Sequence, residues 1–102
     1  MPTVSEALQL LDRELARARQ EGCKVLKLIH GYGSSGAGGE MRIAAQRRLT
    51  EMAARGEVRA CIFGEDWSKS DERSWALLNA NSELKRDNDL GKRNLGITIV
   101  VL

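Results

Sequence analysis

Two stretches of the chain repeat apolar residues at helical spacing. The first begins at Thr3-Val4-Ser5-Glu6, which fits a capping box in which the threonine hydroxyl accepts a helical N–H. Its apolar positions advance in steps of three and four residues: Val4, Leu8, Leu11, Leu15 and Ala18. The pattern stops at Gly22, a residue type that commonly ends helices in the left-handed conformation. The second stretch, about residues 40 to 55, has similar spacing and stops at Gly56. We therefore predict two main helices.

Three short apolar segments indicate strands. The first runs from Cys23 to Ile29, residues 58 to 64 alternate in character, and residues 97 to 102 are almost continuously apolar. Such a continuous run is typical of a strand that is buried on both faces. Between the last two strands, residues 66 to 96 are irregular and contain a short helix near Asp71. The order helix, strand, helix, strand, short helix, strand predicts an α/β fold with a mostly parallel or mixed sheet of three to four strands.

Composition adds limits to this picture. A chain of 102 residues that is 42% hydrophobic and 29% charged is typical of one globular domain, 1–102, in which residues 66–96 form an insertion before the last strand. No apolar run approaches the roughly 20 residues of a membrane span, and no signal peptide is recognisable, so we expect a cytoplasmic protein without a membrane partner. Cys23 and Cys61 lack zinc-site spacing, so we expect reduced core thiols.

Net charge does not by itself predict a nucleic-acid partner. The formal net charge is only +2, so such binding has to come from a local basic patch. Arginine nevertheless outnumbers lysine eleven to five, and the planar arginine fork suits bidentate contact with phosphate.

The strongest candidate for chemistry is the segment after the first strand. It contains the only histidine, His30, then a glycine-rich loop, then Arg42 in the first turn of the second helix. Backbone N–H groups of such a loop, together with the start of a helix, form a ready anion site, and phosphate is the expected ligand. His30 is a candidate for proton transfer or phosphate contact. The candidate binding residues are Gly31, Tyr32, Gly33, Ser34, Ser35, Gly36, Gly38, Gly39 and Arg42.

Each of these residues also has a simpler structural interpretation. His30 can be a hydrogen-bonded structural residue, and Arg42 can pair with Glu40 or Gln46. The loop matches GxGxxG, which leaves a nucleotide or dinucleotide as an alternative ligand. That match is weak, because the glycines continue to Gly39 and the strands of a nucleotide-binding half are missing. No Walker phosphate loop is present, since the chain has no Gly-Lys-Ser/Thr here.

Other polar and aromatic residues give weaker signals. Asp87-Asn88-Asp89 faintly resembles a calcium loop but lacks its remaining ligands. Glu65 and Asp66 could hold a divalent metal near His30 if the first two strands were parallel neighbours. We therefore assign no metal site. Trp67 and Trp75 are expected to cover a sheet edge, whereas Tyr32 could stack on a base.

Taken in order, the motifs resemble the Smr (small MutS-related) domain family. The residues that carry the resemblance are Val25-Leu26-Lys27-Leu28-Ile29-His30-Gly31-Tyr32-Gly33, then Met41-Arg42, then Gly96-Ile97-Thr98-Ile99-Val100-Val101-Leu102. They are similar to the family's IIHGxG strand and loop, its LR helix start and its closing GxTxVxL strand. The resemblance covers about residues 4 to 64 and 94 to 102.

The resemblance implies a two-layer α/β sandwich that binds DNA or RNA, and some members nick nucleic acid. His30, Gly31, Gly33 and Arg42 match family positions. The family's N-terminal LDLHG strand does not appear before the first helix, so we expect that this strand is either lost or lies outside this chain. We therefore expect nucleic-acid binding. Endonuclease activity, and a divalent metal for it, stay open. The alternative function is assembly with a second copy or a partner chain at the open sheet edge.

Overall fold

The predicted elements are present in the computed structural model, which describes residues 3–31 and 39–102. The helices are α1 (Val4–Gln20), α2 (Glu40–Ala54) and α3 (Glu72–Ala80), and the strands are β1 (Val25–Ile29), β2 (Ala60–Phe63) and β3 (Ile97–Val101). Short 3₁₀ helices lie at Gly64–Asp66 and Ser82–Arg86. None of the described helices is long and apolar enough to cross a membrane.

Both ends of α1 follow from local sequence. The Thr3 hydroxyl accepts the N–H of Glu6 at 3.1 Å, so it satisfies one of the donors that a helix leaves unpaired at its start. Gly22 follows the helix with φ of 74°, a left-handed conformation that glycine adopts without steric cost. The predicted bounds of this helix are confirmed, and β1 then starts two residues after the predicted Cys23.

The sheet corrects the prediction of mostly parallel or mixed strands. Its order is β1-β3-β2, and β3 is antiparallel to both neighbours. β1 and β2 run in the same direction, as a helical connection between them favours, but β3 lies between them and opposes both. The apolar pattern of residues 97 to 102 correctly predicted a buried strand. It contains no information on strand direction, which the insertion before β3 determines.

Helices cover both faces of this sheet, so the expected two-layer arrangement is not confirmed. One face packs against α1 and α2, in a cluster that includes Leu15, Leu49 and Val100. The other face packs against the insertion, in a cluster of Ile62, Trp67, Leu78, Ile97 and Ile99. Alternate residues of β3 therefore enter opposite cores. Trp67 is fully buried on the sheet face and not at an edge, while Trp75 is half exposed.

Polar contacts attach the insertion to the sheet. Lys27 of β1 contacts Asp87 at 3.0 Å and also Asp89, and the Trp67 indole donates to Asp87 at 3.0 Å. Burial lowers the pKa of Lys27, but the hydrogen bonds to Asp89 and Asp87 outweigh it, so the net pKa is raised and the ammonium stays charged. The calcium-like stretch is thus a pair of carboxylates that bind this ammonium.

Candidate functional site

The glycine-rich loop leaves the sheet from a tightly bonded corner. The backbone N–H groups of His30 and Gly31 both donate to the carbonyl of Gly96, each at 3.0 Å. Gly31 has φ of 75°, so the chain turns there in a conformation that a side chain would strain. This corner fixes the backbone at the end of β1.

The His30 ring is held from both of its nitrogens. Nδ1 lies 2.6 Å from the Gly31 carbonyl oxygen, and Nε2 lies 2.9 Å from the hydroxyl of Thr98. Because a carbonyl oxygen only accepts, Nδ1 carries the hydrogen, and Nε2 of the neutral ring then accepts the Thr98 hydroxyl. Thr98 is fully buried in β3, so the ring connects the corner to the central strand.

Burial keeps this ring neutral. Desolvation lowers the pKa of His30 below 6.5 and outweighs the backbone groups of Gly31 and Ile97, which raise it. Two nearby charges act in opposite directions, since Glu65 raises the pKa and Arg42 lowers it. Near neutral pH the histidine is therefore an uncharged ring with both nitrogens engaged, which is the geometry of a positioning residue.

Arg42 belongs to a ring of three polar side chains at the same end of the sheet. Its Nη1 donates to Gln46 at 3.3 Å and to Glu65 at 3.4 Å, and Gln46 Nε2 donates to Glu65 at 3.1 Å. The arginine is 28% exposed and the glutamate 32% exposed. Pairing of Arg42 with Gln46, one of the two simpler alternatives, is confirmed, whereas Glu65 is a partner that sequence patterns did not indicate.

The start of α2 completes the described part of the site. Gly39 precedes the helix in the left-handed region, with φ of 81°, and no side chain of residues 3–31 or 39–102 caps the helix there. Gly31 and Gly39 thus flank the loop. The remaining candidate residues lie outside the described residues: Tyr32, Gly33, Ser34, Ser35, Gly36 and Gly38.

Sequence reasoning missed Thr98, and it named Glu65 only as a possible metal ligand and not as the partner of Arg42. Thr98 is the only polar residue in an otherwise aliphatic strand, and a buried hydroxyl requires a partner. The isolated threonine could therefore have been recognised as a residue that needs a polar partner, and that partner is His30. Glu65 follows β2 directly, but only the sheet order shows that this position faces the start of α2.

The acidic residues here do not fit a metal site. Among residues 3–31 and 39–102, no group of three or more His, Cys, Asp or Glu could hold a metal ion. Glu65 is bonded to Arg42 and Gln46, and Asp66 faces Arg73 at 3.8 Å. Because β3 separates β1 from β2, the condition for a shared metal beside His30 is not met.

Two grooves flank the sheet at its opposite ends. A groove of about 450 Å³ lies between α1 and the outer edge of β1, and it is largely apolar, with Leu10, Ile29 and His30 among its lining residues. A second groove, of about 570 Å³, lies where β1 begins; it is also largely apolar, but Arg19, Lys24 and Arg59 are among its lining residues. These three cations form a competing basic surface at the end of the sheet opposite His30.

The thiols differ from the expectation in one respect. Both are free, but only Cys61 is buried, whereas Cys23 is exposed. Burial raises the pKa of Cys61 to about 11, although the positive charge of Arg73 lowers it. Cys61 is therefore an unreactive core thiol.

Comparison with known proteins supports the motif resemblance. The family model described as Smr domain matches residues 1–66. This range includes α1, β1, the glycine-rich loop, α2 and β2, but not most of the insertion or β3. Searches of curated proteins and of solved structures found no match.

Proposed function

Because the chain belongs to the Smr domain family, we propose that it binds DNA or RNA at the end of the sheet where β1 stops and α2 starts. Smr domains generally bind nucleic acids. The observation that carries the proposal is Arg42, which is partly exposed in the first turn of α2, beside the His30 corner. A guanidinium in this position can donate to phosphate oxygens, and phosphate contacts dominate nucleic-acid affinity.

The other candidates have supporting roles in this proposal. His30 and Thr98 fix the corner at Gly31, whose own N–H is bonded to Gly96, and the loop between Gly31 and Gly39 is proposed to provide N–H donors to a phosphate. Tyr32 is proposed to stack on a base, which would add affinity without sequence preference. The predicted dinucleotide alternative loses support, because the three described strands pair only antiparallel and do not form a nucleotide-binding half.

The test is a binding titration with matched arginine variants. Fluorescein-labelled single-stranded RNA, single-stranded DNA and a branched DNA junction are each titrated at several salt concentrations. Arg42→Ala is expected to weaken binding and to lower the salt slope by about 1. Arg55→Ala removes a similar charge at the other end of α2, where Arg55 pairs with Glu57 at 3.0 Å, and should change affinity much less. Equal effects of the two variants would contradict the proposal.

Cleavage is a separate question with its own assay. A general base needs a free lone pair within reach of the proton that it removes, and Nε2 of His30 already accepts the Thr98 hydroxyl. We therefore expect no nicking of supercoiled plasmid or structured RNA that depends on His30, with or without divalent metal. Nicking by the wild type that His30→Ala abolishes would show that the domain is an endonuclease.

One observation favours a second candidate function, assembly with another chain. β1 is an edge of the described sheet, and Ile29 at its end is 79% exposed. The Lys24 carbonyl accepts the N–H of Leu102, and the His30 N–H donates to the Gly96 carbonyl, so the residues flanking β1 face the residues flanking β3. The alternate residues Val25, Lys27 and Ile29 therefore direct their backbone groups outward, where another strand could pair. Light scattering tests this: a dimer that is insensitive to salt, is lost in Ile29→Lys and has no nucleic-acid affinity would favour assembly.

A further inference from the structure

The contact between Arg42 and Glu65 has a consequence for ligand selection. Arg42 is the cation that the proposed function assigns to phosphate, yet a carboxylate already occupies its Nη1. Carboxylate and phosphate oxygens are the two anionic partners that a guanidinium binds in similar geometry. The site therefore contains an internal anion that occupies the place of the ligand.

We propose that Glu65 competes with phosphate for Arg42, so that a phosphate binds there only when other contacts of the same polyanionic strand hold it in place. The inference rests on the proposed function of Arg42. A strand that is anchored by several contacts presents its next phosphate at high effective concentration and can displace the carboxylate. A free phosphate has no such anchor and remains excluded.

The geometry of the ring allows this exchange. Both bonds that Arg42 makes to described residues use Nη1 and are long, at 3.3 and 3.4 Å, near the end of the range for N–H···O hydrogen bonds. The bond from Gln46 to Glu65 is shorter, at 3.1 Å. When Arg42 turns to a ligand, the Glu65 carboxylate therefore keeps a hydrogen-bond donor.

Glu65 is also unable to move far from this position. It lies in the 3₁₀ helix that follows β2, and the preceding Gly64 is packed so closely against the backbone of Asn94 that a Cβ would lie 1.7 Å from the Asn94 carbonyl oxygen. The backbone at Glu65 is therefore fixed, and only its side chain can respond. The ion pair is about one-third exposed, so its contribution is that of a weak pair, which a multiply anchored ligand can overcome.

The substitution Glu65→Gln tests the inference directly. Glutamine retains an amide oxygen for Gln46 but removes the charge that competes for Arg42. The matched control is Glu57→Gln, which makes the same charge change beside Arg55 at the opposite end of α2. With labelled single-stranded RNA, we expect Glu65→Gln to lower Kd roughly fivefold and Glu57→Gln to change it less than about twofold.

Two further measurements distinguish competition for Arg42 from the general electrostatic effect of removing one negative charge. In an Arg42→Ala background the gain from Glu65→Gln should disappear. With inorganic phosphate as the probe, the Nε–Hε NMR signal of Arg42 should shift at lower phosphate concentration in Glu65→Gln than in the wild type. A gain that is equal for Glu57→Gln, or that survives in Arg42→Ala, overturns the inference.

The outcomes distinguish this inference from the proposed function. RNA binding that is weakened by Arg42→Ala but unchanged by Glu65→Gln supports the proposed function and overturns the role of Glu65. A phosphate response of Arg42 that is stronger in Glu65→Gln, without RNA binding by any variant, supports competition at Arg42 and overturns nucleic-acid binding.

Discussion

Gly64 has the least space of any glycine for which the structure defines the surroundings. A Cβ added at this position would lie 1.7 Å from the carbonyl oxygen of Asn94 and 2.9 Å from that of Ile97. Ordinary contact begins near 3.4 Å, so Gly64→Ala requires a shift of the backbone on both sides. The atoms that must move belong to the turn before β3 and to β3 itself, which is the central strand of the sheet.

The expected cost is large for a single methyl group. Overpacking of a core commonly costs about 1 to 3 kcal/mol, and here the obstacle is backbone and not a flexible side chain. We expect Gly64→Ala to lower the free energy of unfolding by about 3 kcal/mol or more. In a domain of about 100 residues this corresponds to a fall in Tm of at least about 12 °C.

Gly56→Ala is the matched control. Gly56 has φ of 75°, but a Cβ there would meet nothing within 4 Å. The alanine therefore carries only the strain of a left-handed residue, about 1 kcal/mol. Urea unfolding followed by circular dichroism compares the two variants. If Gly64→Ala were no more destabilising than Gly56→Ala, the close packing at the end of β2, on which the fixed position of Glu65 depends, would be refuted.

Three other expectations concern single interactions. The pKa of His30 is lowered in the folded state, so the unfolded chain binds more protons than the folded chain below about pH 6.5. The free energy of unfolding should therefore fall as the pH decreases from about 6.5 toward the folded pKa. Urea titrations at several pH values should show that His30→Asn removes this part of the pH dependence. Asp71→Ala removes the carboxylate that accepts the Ser74 N–H at 2.9 Å at the start of α3, which should cost about 1 kcal/mol by the same assay, whereas Asp71→Asn should retain most of the cap. Trp67→Phe removes the indole donor to Asp87 and should lower the free energy of unfolding by about 1 to 2 kcal/mol. An unchanged free energy of unfolding would show that the insertion does not depend on this contact.

Sequence patterns predicted the elements of this fold better than their arrangement. Helical spacing and the glycines after each helix located α1 and α2, and the apolar run at residues 97 to 102 located β3. These signals report which residues are buried. They do not report which strands pair, because β3 would be equally apolar in a parallel sheet. The continuous apolar run also predicted that β3 is buried on both faces, but it did not show that Trp67 and Leu78 of the insertion cover the second face.

Sequence patterns likewise predicted only part of the candidate site. The loop motif drew attention to His30 and Arg42, and the structure brings both to one end of the sheet. Their partners Thr98 and Glu65 are distant in sequence, at 68 and 23 residues respectively. A contact of that kind depends on strand register and order, so it became visible only in the folded chain. Those partners also bear on the chemistry, since both nitrogens of His30 are engaged and a carboxylate already contacts Arg42.

The most direct test of the central claim is to map where nucleic acid binds. Amide NMR shifts of the wild type are followed during titration with a short single-stranded RNA at low salt. We predict that the largest shifts occur at Gly31, Gly39, Met41 and Glu65, together with the Arg42 side chain. The largest shifts at Lys24 and Arg59, in the competing basic surface at the other end of the sheet, would contradict this account.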